Sequence, residues 1–353
     1  MTNQELKHLK ELIITPSPSG FENVIARYLK DKLREHILEE DVEIDFQQNV
    51  IAKIEGEDTS KTIVIDAHLD QIGFVVTNID KEGLISIDHI GGHDSTIVSA
   101  RPLNIITDAG VINAVVDRKH AHLVYDEEDE SIFDISNAQI DIGVRKQEEV
   151  SKFVKIGDPV VYKPHFYKLL KKYYSGYGFD DKAGCWILLN AIKKMASKPP
   201  VNLVFVFSSQ EETGTKLFSV IRKVKPSLVI SVDVTFATDY GHDEELNRQA
   251  GTCNLNGGPV IYRGLGLDKK CYELMEGIAT KNKIPFQTQA NSDAGGFTSL
   301  MVSDELCGIK AMVLGIPLRN MHTPVEIICL DDLDKSAKLL INFLMDSNIK
   351  NVI

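Results

Sequence analysis

Residues 201–214, VNLVFVFSSQEETG, constrain this chain more tightly than any other stretch. Positions 203–207 are an unbroken apolar run without polar alternation. Such a run reads as a strand buried on both faces, as in a parallel sheet. It breaks at Ser208-Ser209-Gln210 into two adjacent acids, Glu211 and Glu212. Carboxylates just beyond a buried strand are costly unless protons or cations meet them. The C-terminal edge of a parallel sheet is also where open α/β folds put their ligands. The same two acids would equally suit a solvated helix N-terminus. The rest of the chain decides between these readings.

Leu6, Leu9, Leu12 and Ile13 have helical spacing, ended by Thr15-Pro16. Ser19 and Glu22 have the spacing of a capping box ahead of a second helix carrying Val24, Ile25, Leu29 and Leu33. Strands are predicted at 42–46, 50–54 and 62–66. From Gln71 to Phe166 short alternating segments separated by Gly, Asp and Asn take over, with helical spacing only near 147–153. That texture predicts an all-β insert of barrel or sandwich type. Its acidic run 126–130 reads as a solvated loop. From Tyr177 the pattern alternates again, with helices at 183–195, 215–224, 269–280, 333–345 and one starting near Gly295. Strands are expected at 203–207, 228–232, 285–289 and 311–314. The predicted fold is α/β, a mostly parallel sheet flanked by helices and interrupted by an all-β inserted domain. Residues 1–70 and 167–353 form the outer domain and 71–166 the insert.

The chain has 353 residues and a net charge of -12, which argues against a nucleic-acid surface. His165, Lys168, Lys171 and Lys172 could form a phosphate or nucleic-acid patch, which the acidic total disfavours. No apolar run approaches the roughly 20 residues of a membrane span, and the charged, amphipathic N-terminus does not read as a signal peptide. Five scattered cysteines without a CxxC pair suit a reducing, cytoplasmic setting. Cys185 reads as a packed helix residue, and His89, His93, His120 and His122 as surface or interface residues of the insert.

Several polar residues follow predicted strands. His68 and Asp70 are two apart, so an extended chain points both to one face. A carboxylate there can fix one imidazole nitrogen while the other binds a metal. Asp180-Asp181 follow the glycine-rich Ser175-Gly-Tyr-Gly178, Asp233 ends an apolar run, and His322 lies in a proline-bounded loop. Each alone has an ordinary structural explanation, such as an acidic N-cap. Together, His68, Asp180, Glu212, Asp233 and His322 supply two imidazoles and three carboxylates. Two divalent ions and one hydroxide would leave that set neutral. Mixed nitrogen and oxygen donors suit zinc, cobalt or manganese. Glu211 is left free to act as a base.

At these residues the chain resembles the tetrahedral (TET-type) dinuclear-metal aminopeptidases, the family that includes bacterial glutamyl aminopeptidase. The matching pieces are Ala67-His-Leu-Asp-Gln-Ile-Gly73, Gly178-Phe-Asp-Asp-Lys-Ala-Gly184, Gln210-Glu-Glu-Thr-Gly214, Val232-Asp-Val234, Ser292-Asp-Ala-Gly295 and residues 316–326. Pro18-Ser-Gly-Phe-Glu22, Ile140-Asp-Ile-Gly143 and Ile156-Gly-Asp-Pro-Val160 also resemble family landmarks. The resemblance implies an aminopeptidase acting on peptides with a free N-terminus, through a water held between two ions. It implies His68, Asp180 and Asp233 on one ion and Asp180, Glu212 and His322 on the other. It also implies Glu211 as general base, Asp70 as the acid orienting His68, and an insert used in dimerisation toward a homo-oligomer, commonly a dodecamer. Gln71, Lys182 and Asn320 depart from the usual acid, arginine and tyrosine, and Gly91-Gly-His-Asp-Ser95 lacks the usual tryptophan. The rival readings are a glycoside hydrolase using the paired acids, which leaves both histidines unexplained, and a non-catalytic assembly protein of the same fold.

Overall fold

The computed structural model describes residues 1–118, 135–240, 247–248, 251–291, 297 and 308–353. The acidic run 126–130, His120, His122, the 292–295 motif, the helix expected near Gly295 and Cys307 lie outside the described residues.

Helix α1 (Asn3–Ile14) opens on a capping box. The Thr2 hydroxyl accepts from the Glu5 N–H (3.2 Å), and the Glu5 carboxylate accepts from the Thr2 N–H (2.7 Å). Helix α2 (Asn23–Arg34) has no such cap, contrary to the spacing of Ser19 and Glu22. Glu22 is fully buried and bonded elsewhere, and Ser19 pairs with the Thr213 hydroxyl. Phe21 and Val24 are exposed, so Ile25, Leu29 and Leu33 carry the apolar face.

Strands β1 (Val42–Ile44), β2 (Val50–Ile54) and β3 (Asp58–His68) follow. The chain then closes a barrel from β4 (Gly73–Ile79), β5 (Ile85–Ile90), β6 (Pro102–Thr107), β7 (Gly110–Val116), β8 (Gln139–Asp141) and β9 (Pro159–Tyr162). Their order is β4-β5-β8-β7-β6-β9, and α3 (Gln147–Val150) lies between β8 and β9 in the chain. Phe74, Ile85, Leu103, Ile105 and Val160 fill its interior. Next come β10 (Phe166–Lys168), β11 (Tyr173–Gly176), α4 (Phe179–Lys194), β12 (Val201–Ser208), α5 (Leu217–Val224), β13 (Leu228–Phe236) and β14 (Val260–Gly264). Helix α6 (Lys269–Lys281), β15 (Gln287–Asn291), β16 (Lys310–Leu318), β17 (Glu326–Cys329), α7 (Leu330–Leu344) and α8 (Ile349–Val352) complete the described elements.

The main sheet has the order β1-β2-β12-β3-β13-β16-β14-β15. Its centre, β12-β3-β13-β16, is parallel. Alternate residues enter two cores: Ile63, Ile65, Leu203 and Phe205 face one, while Val64, Val204, Val206 and Val229 face the other. Burial on both faces explains the unbroken apolar runs. Two parts of this arrangement were not expected from the sequence. β14 enters antiparallel to β16 through only two paired residues, and β10, β11 and β17 form a separate small sheet. Asp233 also sits inside β13 rather than at its end.

Helix α4 packs on β3 and β13 and against α1. Trp186, fully buried, donates its indole N–H to the Glu5 carbonyl (3.0 Å). Lys172 of the basic cluster pairs with Asp331 at 2.6 Å, and His165 stacks on Tyr167. No helix among the described residues is long and apolar enough to cross a membrane. Replacing Trp186 with Phe should cost about 2 kcal/mol, because the indole hydrogen bond to the Glu5 carbonyl is lost and the smaller ring leaves a void. Urea unfolding followed by circular dichroism tests this, and an unchanged midpoint would contradict it.

Candidate metal centre

β12 and β3 end side by side, and their neighbours β13 and β16 run three residues past Asp233 and Gly315. Ser208 of β12 is in register with His68 of β3, and Asp233 of β13 with Gly315 of β16. Residues just beyond these ends therefore share one edge. β3 delivers His68 and Asp70, β12 delivers Glu211 and Glu212 on a short 3₁₀ turn, and the loop after β16 delivers His322. Asp180 enters from the start of α4. The residue before that helix, Gly178, is left-handed (φ 84°), and a Cβ there would lie 3.1 Å from Gln71 Oε1.

Asp180 stands between the two histidines. Its Oδ1 is 3.0 Å from His68 Nε2, and its Oδ2 is 3.3 Å from His322 Nε2. Asp233 Oδ1 is 3.9 Å from His68 Nε2, and Glu212 Oε2 is 3.4 Å from His322 Nε2. Two sets of candidate ligands result, His68–Asp180–Asp233 and Asp180–Glu212–His322, each with its ligand atoms within 4.8 Å of one another. Asp181 turns away, its Oδ1 accepting from the Gly184 N–H. The His68 Nδ1 is 3.2 Å from the Asp70 carbonyl and 3.5 Å from Asp70 Oδ1, which leaves Nε2 facing Asp180. The Asp70 carboxylate also accepts the N–H groups of Glu211 (3.0 Å) and Glu212 (3.2 Å).

Three supporting features were not legible in the sequence. Glu326, 2% exposed, accepts from the N–H groups of Gly178 (3.0 Å) and Phe179 (2.7 Å), fixing the turn that presents Asp180. Its signal was its place in the 316–326 motif, but its partners are backbone groups. His93, expected at the surface or an interface, is half-buried, its ring 4.5 Å from Phe74 and 6.1 Å from Tyr162. The adjoining Gly92 lies so close to His322 that a Cβ would meet Nδ1 at 3.4 Å. Finally, Gln71 and Lys182, two of the three departures from the family pattern, are hydrogen-bonded partners, both buried. Cys185, also buried, points its thiol at the His68 carbonyl.

The family model described as M42 glutamyl aminopeptidase matches residues 48–339. The lysyl aminopeptidase of Pyrococcus furiosus is 27% identical over 334 residues, covering 94% of this chain and 94% of that protein. A solved TET1 peptidase from Pyrococcus horikoshii, described as able to assemble into a tetrahedron or a large octahedral shell, superposes with a TM-score of 0.85. It is 28% identical and covers 97% of this chain and 99% of its own. A solved chain from Thermotoga maritima named endoglucanase superposes with a TM-score of 0.79 at 27% identity, covering 98% of each chain.

The electrostatics fit bound cations. Burial, followed by the charge of Asp180, pushes Glu212 up to about 10. Burial also drives Asp233 and Glu211 up from their ordinary values. Burial would lower His68, but hydrogen bonds to Asp180 and Asp70 outweigh it and raise it well above the usual range. Asp180 moves the other way: burial opposes it, but hydrogen bonds from His322 and His68 hold it below the carboxylate range. The buried Glu212 Oε1 has no hydrogen-bond partner. Carboxylates raised in this way favour a proton or a cation beside them. Burial and the charge of Asp180 favour the protonated Glu212 carboxyl in metal-free protein, and ligating a cation displaces that proton. Binding zinc to metal-free protein at pH 7 should release protons, at least about one per subunit. Calorimetry in buffers of different ionisation enthalpy measures this, and no net release would contradict the assignment.

Proposed function

Because the chain belongs to the M42 glutamyl aminopeptidase family, we propose that its metal centre is the one built on His68, Asp180, Glu212, Asp233 and His322. The protein is a metal-dependent aminopeptidase of the TET-type family, a hydrolase. One observation carries the assignment of the site: Asp180 offers a separate carboxylate oxygen to each histidine, as a ligand shared by two ions must. His68, Asp180 and Asp233 would hold one ion and Asp180, Glu212 and His322 the other, zinc or cobalt best fitting these donors and manganese also possible. When bound, a pair of such ions acidifies a shared water and polarises the scissile carbonyl.

The side chains divide the remaining work. Glu211 takes a proton from the attacking water and passes it to the leaving amine as the C–N bond breaks. Its raised pKa, caused first by burial and then by the charges of Asp70 and Asp180, brings it closer to a neutral working pH. Asp70 holds the His68 ring and, through two N–H bonds, the backbone of Glu211 and Glu212. The free α-amino group of a peptide binds beside this centre, which limits cleavage to the N-terminal residue. The endoglucanase name borne by the Thermotoga maritima chain describes that protein. Here a glycosidase reading gives no role to two histidines on one carboxylate.

Residues 1–70 and 167–353 are taken as the catalytic domain, and 71–166 as an inserted domain used in dimerisation. The tetrahedral or octahedral assembly of the Pyrococcus horikoshii chain supports a homo-oligomer, and dimers joined into a dodecamer are what the family resemblance implies for it. A cytoplasmic location agrees with the burial of Cys185, Cys253, Cys271 and Cys329 as free thiols. Glu211→Gln should keep its bound metal and lose turnover on aminoacyl-nitroanilides by about 10²- to 10⁴-fold. Undiminished turnover in a metal-loaded variant would remove Glu211 from the role of base.

A further inference from the structure

The turn that carries Glu211 is held from outside, residue by residue. The N–H of Ser209 donates to Asn49 Oδ1 (2.9 Å) and that of Gln210 to Glu22 Oε1 (3.0 Å). The next two N–H groups go to the Asp70 carboxylate, and the Thr213 hydroxyl pairs with Ser19 Oγ at 2.7 Å. Every residue from 209 to 213 is thus fixed by a side chain from the first 70 residues. Successive N–H groups of this kind form a concavity that attracts anions. Here the protein's own carboxylates fill it.

Glu22 is the least expected member of this set. It lies outside the matched residues 48–339, and its spacing from Ser19 suggested a helix cap that does not form. Its side chain is fully buried. One oxygen, Oε1, accepts from both the Gly20 N–H (2.8 Å) and the Gln210 N–H. It therefore pins the loop before α2 to the turn after β12 through a single atom. Gln210 is left-handed (φ 54°), a conformation uncommon outside glycine, so the turn needs an external hold.

We propose that Glu22 is a positioning residue for Glu211, acting through the backbone of Gln210. The inference rests on Glu211 being the base, yet the two fail separately. The Glu211→Gln assay addresses the base, whereas hydrogen exchange addresses the clamp alone. In Glu22→Ala, a peptide spanning 208–214 should exchange faster while β12 exchange is unchanged. Displacement of a catalytic group by about 1 Å should lower kcat roughly a hundredfold, with KM and bound metal little changed. Glu22→Gln, whose Oε1 can still accept both N–H groups, should recover most of kcat. Glu22→Asp, whose carboxylate is drawn back by one methylene, should not. Wild-type turnover or unchanged exchange in Glu22→Ala would overturn the proposal. Should Glu22→Ala not fold, the Gln and Asp variants decide. An active Glu22→Asp beside an inactive Glu22→Gln would assign the effect to charge rather than position and overturn it equally.

Discussion

Asp70, Asp180, Glu211, Glu212 and Asp233 converge at one edge of the central parallel strands, with His68 and His322 between them. Two like charges 4 Å apart repel by about 4 kcal/mol at an effective dielectric of 20. Such a cluster persists only where hydrogen bonds, protons or cations offset that repulsion. Asp70 is offset by two backbone N–H groups and Glu326 by those of Gly178 and Phe179. Asp233 receives one, from Val234 (2.7 Å), and the Glu212 Oε1 has no hydrogen-bond partner. Burial drives Glu212 and Asp233 upward, and Glu326 with them. Backbone donors thus hold Asp70 and Glu326 in place, while an oxygen of Glu212 is left without a partner.

The fold supplies this convergence through strand ends and one helix start. A sheet buried on both faces fixes β12, β3, β13 and β16 side by side, so their terminal residues keep fixed relative positions. The loops beyond those ends have no such ladder. They are fixed instead by buried polar side chains: Asn49, Glu22 and Asp70 on one turn and Glu326 on the other. The barrel reaches the same centre through the glycines at 91 and 92, which lie against Glu212 and His322. Rigid strands give the coarse placement, and buried hydrogen bonds give the fine placement that catalysis requires.

Much of this was legible because the signals were local. The apolar run at 203–207 predicted a doubly buried strand, and β12 is one. The texture change after Gln71 predicted an all-β unit, and the barrel strands lie between Gly73 and Tyr162. What stayed hidden depends on contacts distant in sequence. β14 pairs with β16 through two residues, too few for a periodic signal. Glu22 and Glu326 bond to backbone N–H groups, which carry no residue identity for the sequence to display. The ring contacts of His93 were hidden because its aromatic neighbours, Phe74 and Tyr162, arrive from different barrel strands. Gln71 and Lys182 looked like two separate departures, and only their contact makes them one.

Anomalous scattering from crystals of the zinc-loaded protein tests the central claim most directly. Two peaks per subunit are predicted, about 3.5–4 Å apart, with Asp180 between them, His68 and Asp233 beside one, and Glu212 and His322 beside the other. A single peak, or peaks away from Asp180, would contradict the account.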